Sequence, residues 1–238
     1  MTGLSAAARE MLDTPLFGIT LTVAAYVAAR WLWQRAGRTA LLTPVMVAMA
    51  IIGLVLWAGR IDYATYMRGG AYLSFVLGPA TVALAVPLHR AWPAIRRLAL
   101  PIVVGVICGA AAAIIGAVVS VRMLGGTEEL ALTMAPKSAT TPISIALSAQ
   151  AGGIAELTAV FTVLTGVIGA AFGPWLLGLV RVRDPQLQGL AIGVSSHGIG
   201  TARALQEGPL IGAFAALAMA LSGVATSVLL PVMLFLLR

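Results

Sequence analysis

Uncharged apolar stretches recur along the chain at close to the ~20 residues that a helix needs to cross a bilayer core. They run from Thr39 to Gly59, Gly69 to Leu88, Leu98 to Val121, Leu157 to Val180 and Gly208 to Leu237, with a shorter stretch from Thr14 to Ala29. Short loops rich in arginine or turn-forming residues separate them. The pattern predicts an all-α polytopic membrane protein of seven or eight membrane segments, forming one domain over residues 1–238 with a short N-terminal tail at 1–13.

Helix breakers fall inside three of the apolar regions. Gly78-Pro79 interrupts the third stretch; Pro136, Pro142, Gly152 and Gly153 divide the region after Leu130; Gly198 and Gly200 divide the region after Leu187. Proline removes a backbone donor and glycine weakens a helix, so each region is expected to be discontinuous or re-entrant. The order of a broken segment followed by a Gly/Ala-rich span occurs at Gly69 to Val121 and again at Leu187 to Leu237. Paired interruptions of this kind predict an internal inverted repeat with a binding site near the membrane midplane. Gly105 and Gly109 form a small-xxx-small face, expected to serve helix packing.

The composition is 60% hydrophobic and 10% charged, with a mean hydropathy of +1.01, which excludes an ordinary soluble domain. The net charge of +7 reads as topology rather than nucleic-acid affinity, because most arginines sit in short loops. Positive charge marks the cytoplasmic side, so Arg30, Arg35, Arg38, Arg90, Arg96, Arg97, Arg181 and Arg183 are expected to share it. That requires Leu130 to Gly153 to enter and leave on one face. Cys108 is a lone cysteine, and with two histidines, His89 and His197, it offers no metal-ligand cluster, so neither metal nor cofactor is expected.

Lys137 stands alone in an uncharged region, beside the hydroxyls of Ser138, Thr140 and Thr141. An ionisable group at membrane depth marks a functional site unless it snorkels to an interface or is paired, here with Glu156 or Glu128. Thr141-Pro142 reads as an N-cap followed by proline at the first helical position, and bare N–H groups beside an ammonium make an anion site. The second broken region supplies Ser196, His197, Thr201 and Arg203. His197 either carries a proton or bonds a backbone carbonyl; Arg203 either meets the anion or pairs with Glu207 one helical turn on. Adjacent Ser195, Ser196 and His197 do not make a nucleophile and base, since neighbours on a helix do not face each other and no acid orients the imidazole. The chain is therefore not expected to be an enzyme.

Four segments in order carry a resemblance: Leu77-Gly78-Pro79-Ala80-Thr81-Val82-Ala83-Leu84-Ala85-Val86-Pro87-Leu88, Pro136-Lys137-Ser138-Ala139-Thr140-Thr141-Pro142, Gly152-Gly153 with Leu157-Thr158-Ala159-Val160-Phe161, and Ser196-His197-Gly198-Ile199-Gly200-Thr201-Ala202-Arg203-Ala204. From Leu77 to the C-terminus the chain resembles the LrgB/CidB family, departing from its pattern at Glu156 and His89. The resemblance implies either an antiholin-like regulator of murein hydrolase export and autolysis or a carrier of small carboxylates, as in the related plastid glycolate/glycerate translocator. It also implies a small membrane partner of the LrgA/CidA type. Breaks, a lysine, an arginine, a histidine and hydroxyls converging at membrane depth favour the carrier. The expected ligand is a small monocarboxylate such as glycolate, glycerate or pyruvate, coupled to a proton or sodium ion, held by Lys137, Ser138, Thr140, Thr141, Ser196, His197, Thr201, Arg203 and Thr81. A homo-oligomer in the bacterial cytoplasmic membrane, with no nucleic-acid partner, is expected.

Overall fold

A computed structural model describes residues 12, 14–37 and 42–237, apart from the side chains of Leu77 and Thr81. The expected tail at 1–13, except Leu12, and Arg38 of the first basic loop lie outside the described residues. Among these residues every regular element is α-helical. The chain divides into two compact units, residues 1–85 and 86–238, which are taken separately.

The first unit holds α1 (Pro15–Arg35), α2 (Pro44–Gly59) and α3 (Tyr63–Ala83). Thr-Pro pairs open α1 and α2, where proline's fixed φ and missing N–H cost least. Small residues bring the helices together: Ala25 and Ala29 pack on Ala48, and methyl groups on Gly18 or Gly69 would strike the facing backbone of α3 or α1. Thr22 Oγ1 and Tyr66 Oη lie 2.9 Å apart across the same contact. The expected break at Gly78-Pro79 is not present. Pro79 lies inside α3, and the chain turns only at Leu84; losing one N–H costs an apolar helix less than exposing a whole turn of unpaired backbone.

The second unit begins with two short helices, α4 (Ala85–Arg90) at the boundary and α5 (Trp92–Arg97), followed by α6 (Ala99–Met123), α7 (Glu128–Met134), α8 (Thr141–Ala151), α9 (Ala155–Leu179), α10 (Pro185–Glu207) and α11 (Pro209–Leu236). Five stretches of the described chain are long and apolar enough to cross a membrane: Pro15–Arg35, Tyr63–Arg90, Ala99–Met123, Ala155–Leu179 and Pro209–Leu236. At about 1.5 Å per residue, the 25 residues of α6 or α9 reach about 37 Å.

α6 and α11 run parallel. Ile102 and Val106 pack with Ala213, Phe214 and Ala218 near their starts, and Arg122 donates to the Leu237 carbonyl at their finishing ends. α9 runs against them, because its late residue Leu177 joins Ile192 and Ile211 near the start of α11.

The two remaining segments double back. α7, capped by Thr127 accepting from Leu130 N, ends at Met134, and the break expected across Pro136–Pro142 is present. The N-cap is Thr140, with Pro142 in the first turn, one residue earlier than the Thr141 cap read from the sequence. α8 ends at Gly152, whose φ of 91° is open to glycine at little cost. Ser144 Oγ donates to the carbonyls of Pro136 (2.7 Å) and Ala139 (3.2 Å), while at the other end Ile154 N donates to Thr133 Oγ1 and Thr158 bridges Thr133 O and Ser148. α8 therefore returns along α7, making a hairpin whose tip is 135–140.

α10 reverses at His197, where φ is 40° and ψ −135°. In a straight helix Ile192 and Gly200 would stand about 12 Å apart along the axis, yet a methyl group on Gly200 would lie 2.9 Å from Ile192 Cγ2. Gly189 and Gly193 run along Ile211 to Ala218, and the second arm returns with Leu205 against Gly212. The break thus falls on His197, one residue before the glycines expected to make it, and Gly200 instead serves to bring the second arm close to the first. The first hairpin opens toward the end where α6 and α11 finish. The second opens toward the end where they begin.

Candidate functional site

The two hairpin tips, the first arm of α10, the first half of α6 and the middle of α9 line an open cavity of about 750 Å³. α9 admits the second tip because it lacks side chains there: a methyl group on Gly169 would collide with Ser196 Oγ, and one on Gly166 would lie 2.6 Å from His197 Nε2. The first tip is held by its own turn, in which Lys137 N donates to Met134 O (3.1 Å) and Ala139 N to Pro136 O (3.0 Å). Lys137 and Ser138 project into the cavity, Ser196 and Ser195 line it from the second hairpin, and Thr165 lines it from α9.

Lys137 is half-buried, and its ammonium has no hydrogen-bond or ion-pair partner among the described residues. Glu128 is engaged by Arg122 at 2.8 Å, and Glu156 is exposed at the start of α9, so neither neutralises the lysine. The hydroxyls of Ser138, 6% exposed, and Thr165 likewise make no hydrogen bond among the described residues. α8 starts with no side-chain cap, but its first-turn residues do not line the cavity. A half-buried ammonium and two uncommitted hydroxyls on one cavity wall form an arrangement suited to one small anion.

Other expected site residues are placed elsewhere. His197 is buried, and its Nε2 lies 2.8 Å from the Thr162 carbonyl; a carbonyl only accepts, so Nε2 carries the proton in that bond. Thr201 is buried and donates to His197 O at 2.8 Å, tying the second arm to the reversal. Arg203 Nε donates to Glu207 Oε1 at 3.0 Å. None of these three lines the cavity, nor do Thr140 and Thr141, which sit half-buried at the start of α8. The Thr81 side chain lies outside the described residues. Ser196 Oγ is 3.0 Å from Ser195 Oγ, and Ser195 donates to Ala191 O at 2.8 Å.

Sequence reasoning missed two contributors. Thr165 lies in an unremarkable apolar run and carries no local signal. Gly105, read as a packing glycine, has nothing within 4 Å of a methyl group built on it and faces the cavity, whereas Gly109 does pack, 2.8 Å from Val194 Cγ1 by the same measure.

A profile of the LrgB-like family matches residues 22–236. The uncharacterized protein YxaC of Bacillus subtilis (strain 168) is 36% identical over 218 residues, which cover 92% of this chain and 94% of the relative. No solved structure matches the chain.

Proposed function

Since the chain belongs to the LrgB-like family, we propose that it is a carrier of small monocarboxylates of the glycolate, glycerate and pyruvate kind. The observation that carries this reading is Lys137, a cation without a partner at the tip of a hairpin and at the floor of a cavity. A regulator acting through helix packing alone would have no use for an uncompensated charge there.

In this reading the two hairpins are re-entrant segments that dip to the midplane from opposite faces. Each is followed by a long apolar helix, so α7 to α9 and α10 to α11 form an inverted repeat with the site between their tips, in place of the expected pairing of Gly69–Val121 with Leu187–Leu237, whose first segment is not broken at Pro79. The five long apolar stretches and the shorter apolar helix α2 supply six crossings, which with two re-entrant segments makes eight. Arg90, Arg96, Arg97, Arg181 and Arg183 then lie together on the cytoplasmic side, while Glu128, Glu129 and Glu156 lie on the other. The first arm of α10 and the start of α6 line the cavity at the arginine-rich end, so the conformation is open to the cytoplasm. His197, bonded to a carbonyl, fixes the hairpin tip rather than carrying a proton. We place the protein in the bacterial cytoplasmic membrane as a homo-oligomer, coupled to a proton or sodium ion, with a small partner of the LrgA/CidA type.

The test is uptake of labelled glycolate, glycerate and pyruvate by proteoliposomes holding the full chain, alone and with such a partner. Saturable uptake of at least one acid is expected. Its absence in both preparations, from folded protein, overturns the carrier reading in favour of antiholin-like control of autolysis.

A further inference from the structure

The cavity is much longer than its polar part. Its floor is level with Lys137, Ser138 and Ser196, and from there it follows α6 from Ala113 back to Pro101 and the first arm of α10 from Ser196 back to Leu187. Twelve residues of α6 correspond to about 18 Å of rise. Beyond the floor the wall is hydrocarbon: Ile102, Val106, Leu187, Leu190 and Val194. A two- or three-carbon acid held at Lys137 would leave that wall facing water, in a space within the roughly 300–1,000 Å³ that accommodates a drug-sized ligand.

Resting on the carrier reading, we propose that the cavity selects monocarboxylates with an aliphatic tail, the carboxylate at Lys137 and the hydrocarbon running along α6 toward Leu190, and that Gly105 sets how long a tail is accepted. Gly105 stands one helical turn from Gly109, on the mouth side. Gly109 is closed off by Val194 Cγ1, but a methyl group on Gly105 would meet nothing within 4 Å. The missing side chain at 105 is therefore open volume within the tail's path. Charge complementarity is limited to one end, because among the lining residues only Lys137 is charged. A second carboxylate or a string of hydroxyls on the tail would lose its hydration against the apolar wall without gaining a partner.

The homologous 2-oxo acids, which stay ionised and keep one head group, test this directly. Dissociation constants are measured by calorimetry on the full chain in detergent, from pyruvate upward, with uptake of labelled pyruvate by proteoliposomes in parallel. Burying a methylene contributes about 0.8 kcal/mol, so affinity is expected to rise about fourfold per added carbon and roughly sixtyfold over three. Gly105→Leu fills the path: the roughly sixtyfold advantage of the longer acid over pyruvate should fall below tenfold. Gly105→Ala, which adds only a methyl group and favours the helix, should shift the preference in the same direction and serves if the leucine variant fails to fold. Gly116→Leu is the control, since Gly116 is on the same helix, exposed, and has open space around it but does not line the cavity; it should leave the series unaltered. Pyruvate uptake with no gain in affinity along the series, or with Gly105 variants that match wild type, overturns the tail proposal and leaves the carrier reading standing. Failure to bind or transport any member overturns both.

Discussion

Replacing Lys137 by methionine separates a ligand-binding lysine from a structural one. The side chain is half-buried and finds no acid among the described residues: Glu128 is held by Arg122 and Glu156 is exposed. The charge can therefore be removed without stranding a partner. A charge-assisted hydrogen bond contributes about 1.5 to 3 kcal/mol net, and 1.4 kcal/mol is a factor of ten, so Lys137→Met should weaken carboxylate binding about tenfold to a hundredfold. The Coulomb attraction of about 4 kcal/mol for unit charges 4 Å apart at an effective dielectric of 20 is an upper bound, because the ligand loses hydration as it binds. Breaking a buried ion pair would instead cost about 3 to 5 kcal/mol of stability. Calorimetry, uptake and thermal unfolding on one preparation distinguish the two. The expected result is a large loss of affinity, an unfolding temperature at or above that of wild type, and partial recovery in Lys137→Arg, which keeps the charge. A Lys137→Met protein that binds normally, or that loses stability while the arginine variant does not, refutes the argument.

Three further outcomes follow from the geometry. In a Cys108→Ser background, cysteines at Arg96 and Arg183 should label from one side of the membrane and cysteines at Glu128 and Glu156 from the other; Arg96 and Arg183 on opposite sides would remove the re-entrant hairpin. Gly169→Ala puts a methyl group into Ser196 Oγ and should cost about 1 to 3 kcal/mol of overpacking, seen as a lower unfolding temperature with impaired binding, while Gly178→Ala, with open space around it, should be neutral. Thr165→Val removes a hydroxyl that bonds nothing among the described residues, so stability should hold while carboxylate affinity falls about twofold to tenfold, the effect of one neutral hydrogen bond; an unchanged affinity would take Thr165 out of the site.

Local chemistry accounts for what could be read directly from the chain. Apolar runs of about 20 residues announce membrane helices because burial of apolar surface and satisfaction of the backbone leave few alternatives. The first hairpin was legible because Pro136, Pro142 and Gly152 act on their own backbone, and Lys137 because a lone charge in an apolar region needs a reason wherever the chain goes. Interruption was legible in the second hairpin as well, but its reversal was not. That depends on Gly189, Gly193 and Gly212 letting two arms lie on α11, and on Thr162 holding His197 in a positive-φ conformation, which are pairings between residues distant along the chain. The same physics explains Pro79, whose effect depends on what surrounds its helix. Residue type alone nominated His197 and Arg203 for chemistry, but partners decide what a polar side chain does: a backbone carbonyl engages the first, Glu207 the second. Thr165 and Gly105, silent in the sequence, face the cavity only because α6, α9 and α10 pack around a space. A cavity is a property of packing between elements, and no single element encodes it.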